Sequence, residues 1–215
     1  MHINKYWSYV IGISGCVFGN CAYFTCFFIS LSLFSPPPLS PLNNWISDLG
    51  YSLLNPRGAI WFNIANILSG IGMTLYYVGF RVWYTEEGKQ NLLIKLTQIA
   101  GCVNALTIVM LGIFPEDQVD LHSFWAGIFF NVNFVVFLLT FLAFRSHRQI
   151  PKWFALYSLV VAGINLTFII LMDFHLFWLE WLTVFTGIPL GGLFLVKFII
   201  SFRQEKMKQD FSMTK

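Results

Sequence analysis

Six apolar runs, each long enough to cross a bilayer, constrain this chain more than any other feature. They cover about residues 7–34, 61–83, 92–114, 122–144, 153–174 and 178–202. About 20 mainly apolar residues suffice for a helix that crosses the hydrocarbon core. The composition agrees: 57% of the residues are hydrophobic and 11% charged, against about 25% charged in soluble domains. A mean hydropathy of +0.67 is more apolar surface than a soluble chain of this length can hide. The expected fold is therefore all-α, a polytopic membrane bundle of six transmembrane helices. It forms a single integral membrane domain over residues 1–215, with 203–215 as a cytoplasmic tail. The net charge of +3 is too small to indicate a nucleic-acid partner, which leaves membrane lipids as the expected surroundings.

The gaps between the runs carry helix-breaking residues. Ser35-Pro36-Pro37-Pro38 should stop the first helix, because proline lacks the amide donor. Glu86-Glu87-Gly88-Lys89, Phe114-Pro115-Glu116-Asp117 and Ile150-Pro151-Lys152 interrupt the next gaps. The gap around His175 is so short that the fifth and sixth spans should form a tight hairpin. The first run exceeds the roughly 7–15 residues of a signal-peptide core and lacks a small-residue cleavage site, so it should stay as a span.

Basic residues set the orientation. With both termini in the cytoplasm, every Lys and Arg except Arg57 falls on the cytoplasmic side. Asp48, Glu116, Asp117, Asp120, Asp173 and Glu180 then fall outside, together with His122 and His175. The four cysteines, Cys16, Cys21, Cys26 and Cys102, all sit within apolar runs. They read as inert thiols and not as a disulfide framework or a metal site.

Asn20, Asn63, Asn66, Asn104, Asn131, Asn133 and Asn165 lie inside the runs. An amide facing acyl chains is costly, so each should turn toward the bundle and bond across helices, at about 0.6–2 kcal/mol per contact. Short matches, such as Gly101-Cys102-Val103-Asn104 beside Gly163-Ile164-Asn165, suggest three related helical hairpins. All eight Trp fall near span ends and read as an aromatic belt.

The semi-polar stretch 43–58 follows the first span. Ile46, Leu49 and Leu53 recur at i, i+3 and i+7, the pattern of a short interfacial amphipathic helix with Ser47 and Asp48 on its polar or inward side. Asn43 or Asn44 would cap it, and Gly50 or Asn55-Pro56 would end it. It could fold as a lid over His122, Asp173 and His175. Ser47, Asp48, Asn63, His122, Asp173 and His175 are the candidate ligand-binding residues. A set made of Asp48, His122, Asp173 and His175 could alternatively hold zinc, whose bound water attacks an ester or amide. No complete catalytic or cofactor motif accompanies them.

Ile46-Ser47-Asp48-Leu49-Gly50, a following Pro, Phe62-Asn63, Gly112-Ile113-Phe114-Pro115-Glu116-Asp117 and His122 occur in this order. This arrangement resembles the prokaryotic six-span membrane proteins of domain-of-unknown-function family nine-nine-eight, over about residues 8–202. The resemblance implies a prokaryotic plasma membrane and places Ser47, Asp48, Gly50, Asn63, Pro115 and His122 in one shared pattern. It implies no activity. More distantly the pattern is similar to eukaryotic six-span proteins of the autophagy-modulator type, which implies membrane organisation.

The reading best matched to these features is a protein that binds a lipid or small amphiphile at an outward-facing polar site. A metal-dependent membrane hydrolase acting on lipids at the same site, and a small transporter, are the alternatives. The topology is directly testable. A reporter active only in the cytoplasm, fused after Lys215, should be active. The same reporter inserted after Asn55 should be silent; activity there would invert the assignment.

Overall fold

A computed structural model describes residues 5–34 and 38–213, with no statement on the side chains of residues 208–213. Six helices are long and apolar enough to cross a membrane: α1 (Lys5–Ser32), α2 (Ala59–Gly79), α3 (Gly88–Ile113), α4 (Val119–Phe144), α5 (Lys152–Leu171) and α6 (Phe177–Met213). No strand occurs among the described residues. The chain is thus an integral multi-pass membrane protein. Several helices outrun the apolar windows: α3 starts at Gly88, and α6 continues to Met213 through residues read from sequence as a tail. Hydropathy marks the part of a helix that lies in hydrocarbon, whereas its backbone bonds continue into the polar layer. α1 ends at Ser32; Ser35, Pro36 and Pro37 of the expected stop signal lie outside the described residues.

Consecutive helices pack on each other, and α6 closes back onto α1. Lys5 of α1 and Glu205 of α6 pair at 3.2 Å, so the start of α1 and the later part of α6 share one end of the bundle. At that end His147 Nε2–H donates to Trp83 O (3.0 Å), tying the α4–α5 connection to the end of α2. Trp83 is only 1% exposed, and Trp181 sits among core aromatics. The aromatic belt therefore lacks these two, because their rings pack inward, while Trp7, Trp61, Trp153 and Trp178 are exposed as a belt requires.

The α1–α2 contact has almost no room. A Cβ on Gly72 would lie 2.4 Å from Gly19 Cα and 2.7 Å from Gly15 O; one on Gly79 would lie 2.4 Å from Gly12 Cα. Small residues permit this approach, and dispersion between the two backbones supplies the attraction that lipid cannot. The intramembrane amides follow the expectation in part. Asn104, Asn133 and Asn165 are buried and bonded across α3, α4 and α5. Asn20 and the exposed Asn131 depart from it: each Nδ2 donates one turn back, to Cys16 O (2.8 Å) and Gly127 O (2.8 Å), which satisfies the donor without a neighbouring helix. Gly101 packs on the Tyr77 ring while the matched Gly163 meets nothing within 4 Å, so the repeated letters occupy unlike surroundings.

Gly72→Ala puts a methyl group into backbone that cannot rotate away. It should cost about 1–3 kcal/mol, read as a lowered unfolding midpoint in detergent. Gly163→Ala should leave that midpoint unchanged.

Candidate functional site

The segment expected to lie in the interface instead enters the bundle. It makes one 3-10 turn, Ser47–Gly50, not an amphipathic helix. Ile46 (4% exposed) and Leu49 (0%) are buried against α1, α2 and α6 aromatics, whereas Leu53 is 76% exposed. The apolar spacing was real, but the chain leaves the helical path after Gly50, so its third member never joins the other two. Asn44 helps to shape the turn: its Oδ1 accepts from Ser40 N–H (3.2 Å) and its Nδ2 donates to Asp48 Oδ2 (2.8 Å).

Burying non-helical backbone requires a partner for each N–H and C=O. Those partners come from side chains of three helices and from Asn55. Ile46 N–H donates to Glu180 Oε2 of α6 (2.7 Å), and Trp181 Nε1–H donates to Asn44 O (2.9 Å). Asn55 Nδ2 donates to Leu49 O (2.9 Å) and to Ser30 Oγ of α1 (3.0 Å). Asn63 Nδ2 of α2 donates to Gly50 O (3.3 Å). Sequence reasoning placed Asn63 in the site but missed Ser30, Asn55 and Trp181 as anchors. The signal available was a fully buried connection's need for hydrogen-bonding side chains nearby.

The candidate residues separate into three groups. Ser47 and His122 line a cavity inside the bundle, together with Glu180. Asp48, 7% exposed, instead faces the α3–α4 connection, where Glu116 makes a side-chain hydrogen bond to it. Asp173 and His175 are both exposed. His175 takes the left-handed φ of 54° in the tight α5–α6 turn, and its Nδ1 lies 3.0 Å from Asp173 O. These two shape the turn, although the His175 ring also stands 6.4 Å from the Trp45 ring. No group of three or more His, Cys, Asp and Glu side chains able to hold a metal ion occurs among the described residues.

The cavity measures about 200 Å³ and lies between α1, α2, α3, α4 and α6. Along α4 it is lined from His122 to Thr140, a rise of ~27 Å, nearly the hydrocarbon thickness. Polar groups occur at its Glu180–His122 end and again halfway down, at Asn20, Asn66, Asn104 and Asn133. Aromatic and aliphatic side chains such as Phe130, Phe137, Met73 and Phe194 fill the spaces between. His122 Nδ1 lies 2.9 Å from Phe114 O. A carbonyl only accepts, so Nδ1 carries the proton and Nε2 is the ring's remaining polar atom.

Burial, the Asp48 charge, the hydrogen bond to Asp48 and the Asp117 charge together push Glu116 up to about 7. Burial and the neighbouring negative charges both oppose the charged form, so Glu116 keeps its proton to higher pH than a solvated carboxyl does. Asp117 in turn accepts from the Ser52 hydroxyl and, at 3.3 Å, from Ser52 N–H, which fixes the exposed side of the connection.

The family described as "Protein of unknown function (DUF998)" matches residues 20–200, a range that contains the inserted turn, both acidic partners and the cavity lining apart from Gly15, Cys16 and Gly19. No curated protein and no solved structure matches the chain.

A carboxyl whose folded pKa is raised binds its proton more tightly when folded. Its stabilisation is full below the unfolded value of about 4.5 and is lost as pH rises through about 7. Between about pH 4.5 and pH 7, stability should fall with rising pH, and amide exchange over residues 46–50 should quicken. Glu116→Gln keeps a donor for Asp48 and should flatten both profiles. An unchanged slope in that variant would remove Glu116 as the titrating group.

Proposed function

We propose, from the premise that the chain belongs to the DUF998 family and that the family description carries no activity, that the protein binds a lipid or small amphiphile inside its bundle. The observation that supports this most is the cavity: it is long and narrow, and aromatic over much of its length, with Ser47, His122 and Glu180 grouped at one end. A pocket with a few placed polar groups in an apolar wall suits a molecule that is itself divided in this way. The ligand lies along the cavity, from the polar end beside the turn Ser47–Gly50 toward Phe137 and Phe194.

On the orientation given by the basic residues, that end faces outward. The inserted turn then forms the outer wall of the site. Asp48 acts here by holding the turn through Glu116 and Asn44, not by touching the ligand. Asp173 and His175 stand at the margin, where they meet solvent and not the bound molecule.

Gly191 of α6 lines the cavity, and a Cβ there would meet nothing within 4 Å. Gly191→Leu should therefore occupy the cavity without displacing a neighbour. The expected result is a folded protein, as stable as the parent or slightly more so, that retains at least about tenfold less co-purifying lipid by mass spectrometry. Undiminished lipid on the folded variant would overturn the proposed site.

A further inference from the structure

The buried amides of α3, α4 and α5 form a chain with a fixed direction. Val161 O can only accept, so the nitrogen of the Asn165 amide must face it (2.8 Å). Asn165 Oδ1 is then left for Asn133 Nδ2 (2.8 Å), and Asn133 Oδ1 for Asn104 Nδ2 (3.0 Å). Flipping any one amide would set oxygen against oxygen or nitrogen against nitrogen, so the carbonyl at one end orients all three. The run ends at Asn104 Oδ1. That atom has no hydrogen-bond partner, in a residue that is 0% exposed and lines the cavity. A buried acceptor left unpaired is costly, and a donor brought by a ligand would remove that cost.

Two further polar groups that line the cavity, His122 and Glu180, have the same bias. With Nδ1–H committed to Phe114 O, Nε2 of a neutral His122 ring is an acceptor. Glu180 presents a carboxyl group whose Oε2 already accepts from Ile46 N–H. Among the described residues, none that lines the cavity is Lys or Arg. Beside His122 and Glu180 an anionic headgroup would thus meet an acceptor and a second carboxyl, with no cation to offset its desolvation.

Resting on the reading that the cavity takes an amphiphile, we propose that its ligand carries no negative charge and brings an O–H or N–H donor to Asn104 Oδ1, as a long-chain alcohol or amine does. Asn104 is the selecting residue at mid-depth. Discrimination follows from the unpaired oxygen: a ligand of equal length without a donor leaves that oxygen as it was, and gains only its apolar contacts.

Four probes with one chain length test this on the whole protein in phosphatidylcholine nanodiscs: dodecanol, dodecylamine, dodecanoate and dodecyl methyl ether. Native mass spectrometry counts the probe retained, with Gly191→Leu as the blocked-cavity background. The alcohol and the amine should each be retained about five- to tenfold better than the carboxylate and the ether. Better retention of either donor probe supports the proposal, and the preferred one identifies which donor the site uses. Asn104→Leu should abolish the difference between the alcohol and the ether. Should that variant fail to fold, the four-probe comparison on the parent protein decides alone. Equal retention of dodecanoate or the ether above background would overturn the donor rule while leaving the amphiphile reading intact. Retention of none above background would overturn both.

Discussion

The insertion of residues 44–50 into the end of the bundle is the constraint on which the rest of this structure depends. A non-helical backbone cannot satisfy itself, so each buried N–H and C=O needs a partner from elsewhere. Glu180, Trp181, Asn63, Asn55 and Ser30 meet that need from three helices and the connection itself. Their polarity therefore has a structural cause that is independent of any ligand. Glu180 has both roles, because it anchors the turn and also lines the cavity that the turn borders.

A second constraint acts along the membrane normal. The glycine contact draws α1 and α2 together, and the amide chain joins α3, α4 and α5. α6 packs on α1 and α5, and the space bordered by α1 to α4 and α6 is left as the cavity. α2 and α3 also meet at backbone distance, where a Cβ on Gly70 would lie 2.6 Å from Ala105 O and one on Gly112 2.5 Å from Asn63 O. The same amide chain that fastens three helices ends at an oxygen without a partner, in a residue that borders the cavity.

Glu116 shows how position changes the meaning of a residue. As part of Phe114-Pro115-Glu116-Asp117 it reads as a solvated turn residue. Burial, with the Asp48 and Asp117 charges beside it, instead pushes its pKa up to about 7. The turn Ser47–Gly50 is thereby coupled to the α3–α4 connection by a bond that depends on pH, beside the polar end of the cavity.

By itself the sequence determined the six helices, the lengths of the first five to within a few residues, and the crowding of acidic groups and His at one end. Length and total hydropathy suffice for that, since hydrocarbon accepts little else. It placed Ser47 and His122 together with Asp48, and these do share one region. It could not tell that Asp48 turns to Glu116, that Asp173 and His175 remain exposed, that Asn131 faces outward while Asn133 faces in, or that Leu53 leaves the pattern begun by Ile46 and Leu49. Only the tertiary structure decided these. In water, the apolar side of a helix is its core side; here lipid and core are both apolar, so hydrophobic periodicity carries little information about which face turns inward. Inward and outward are assigned by where glycines let backbones meet and where amides find partners, and those are contacts between segments far apart in the chain.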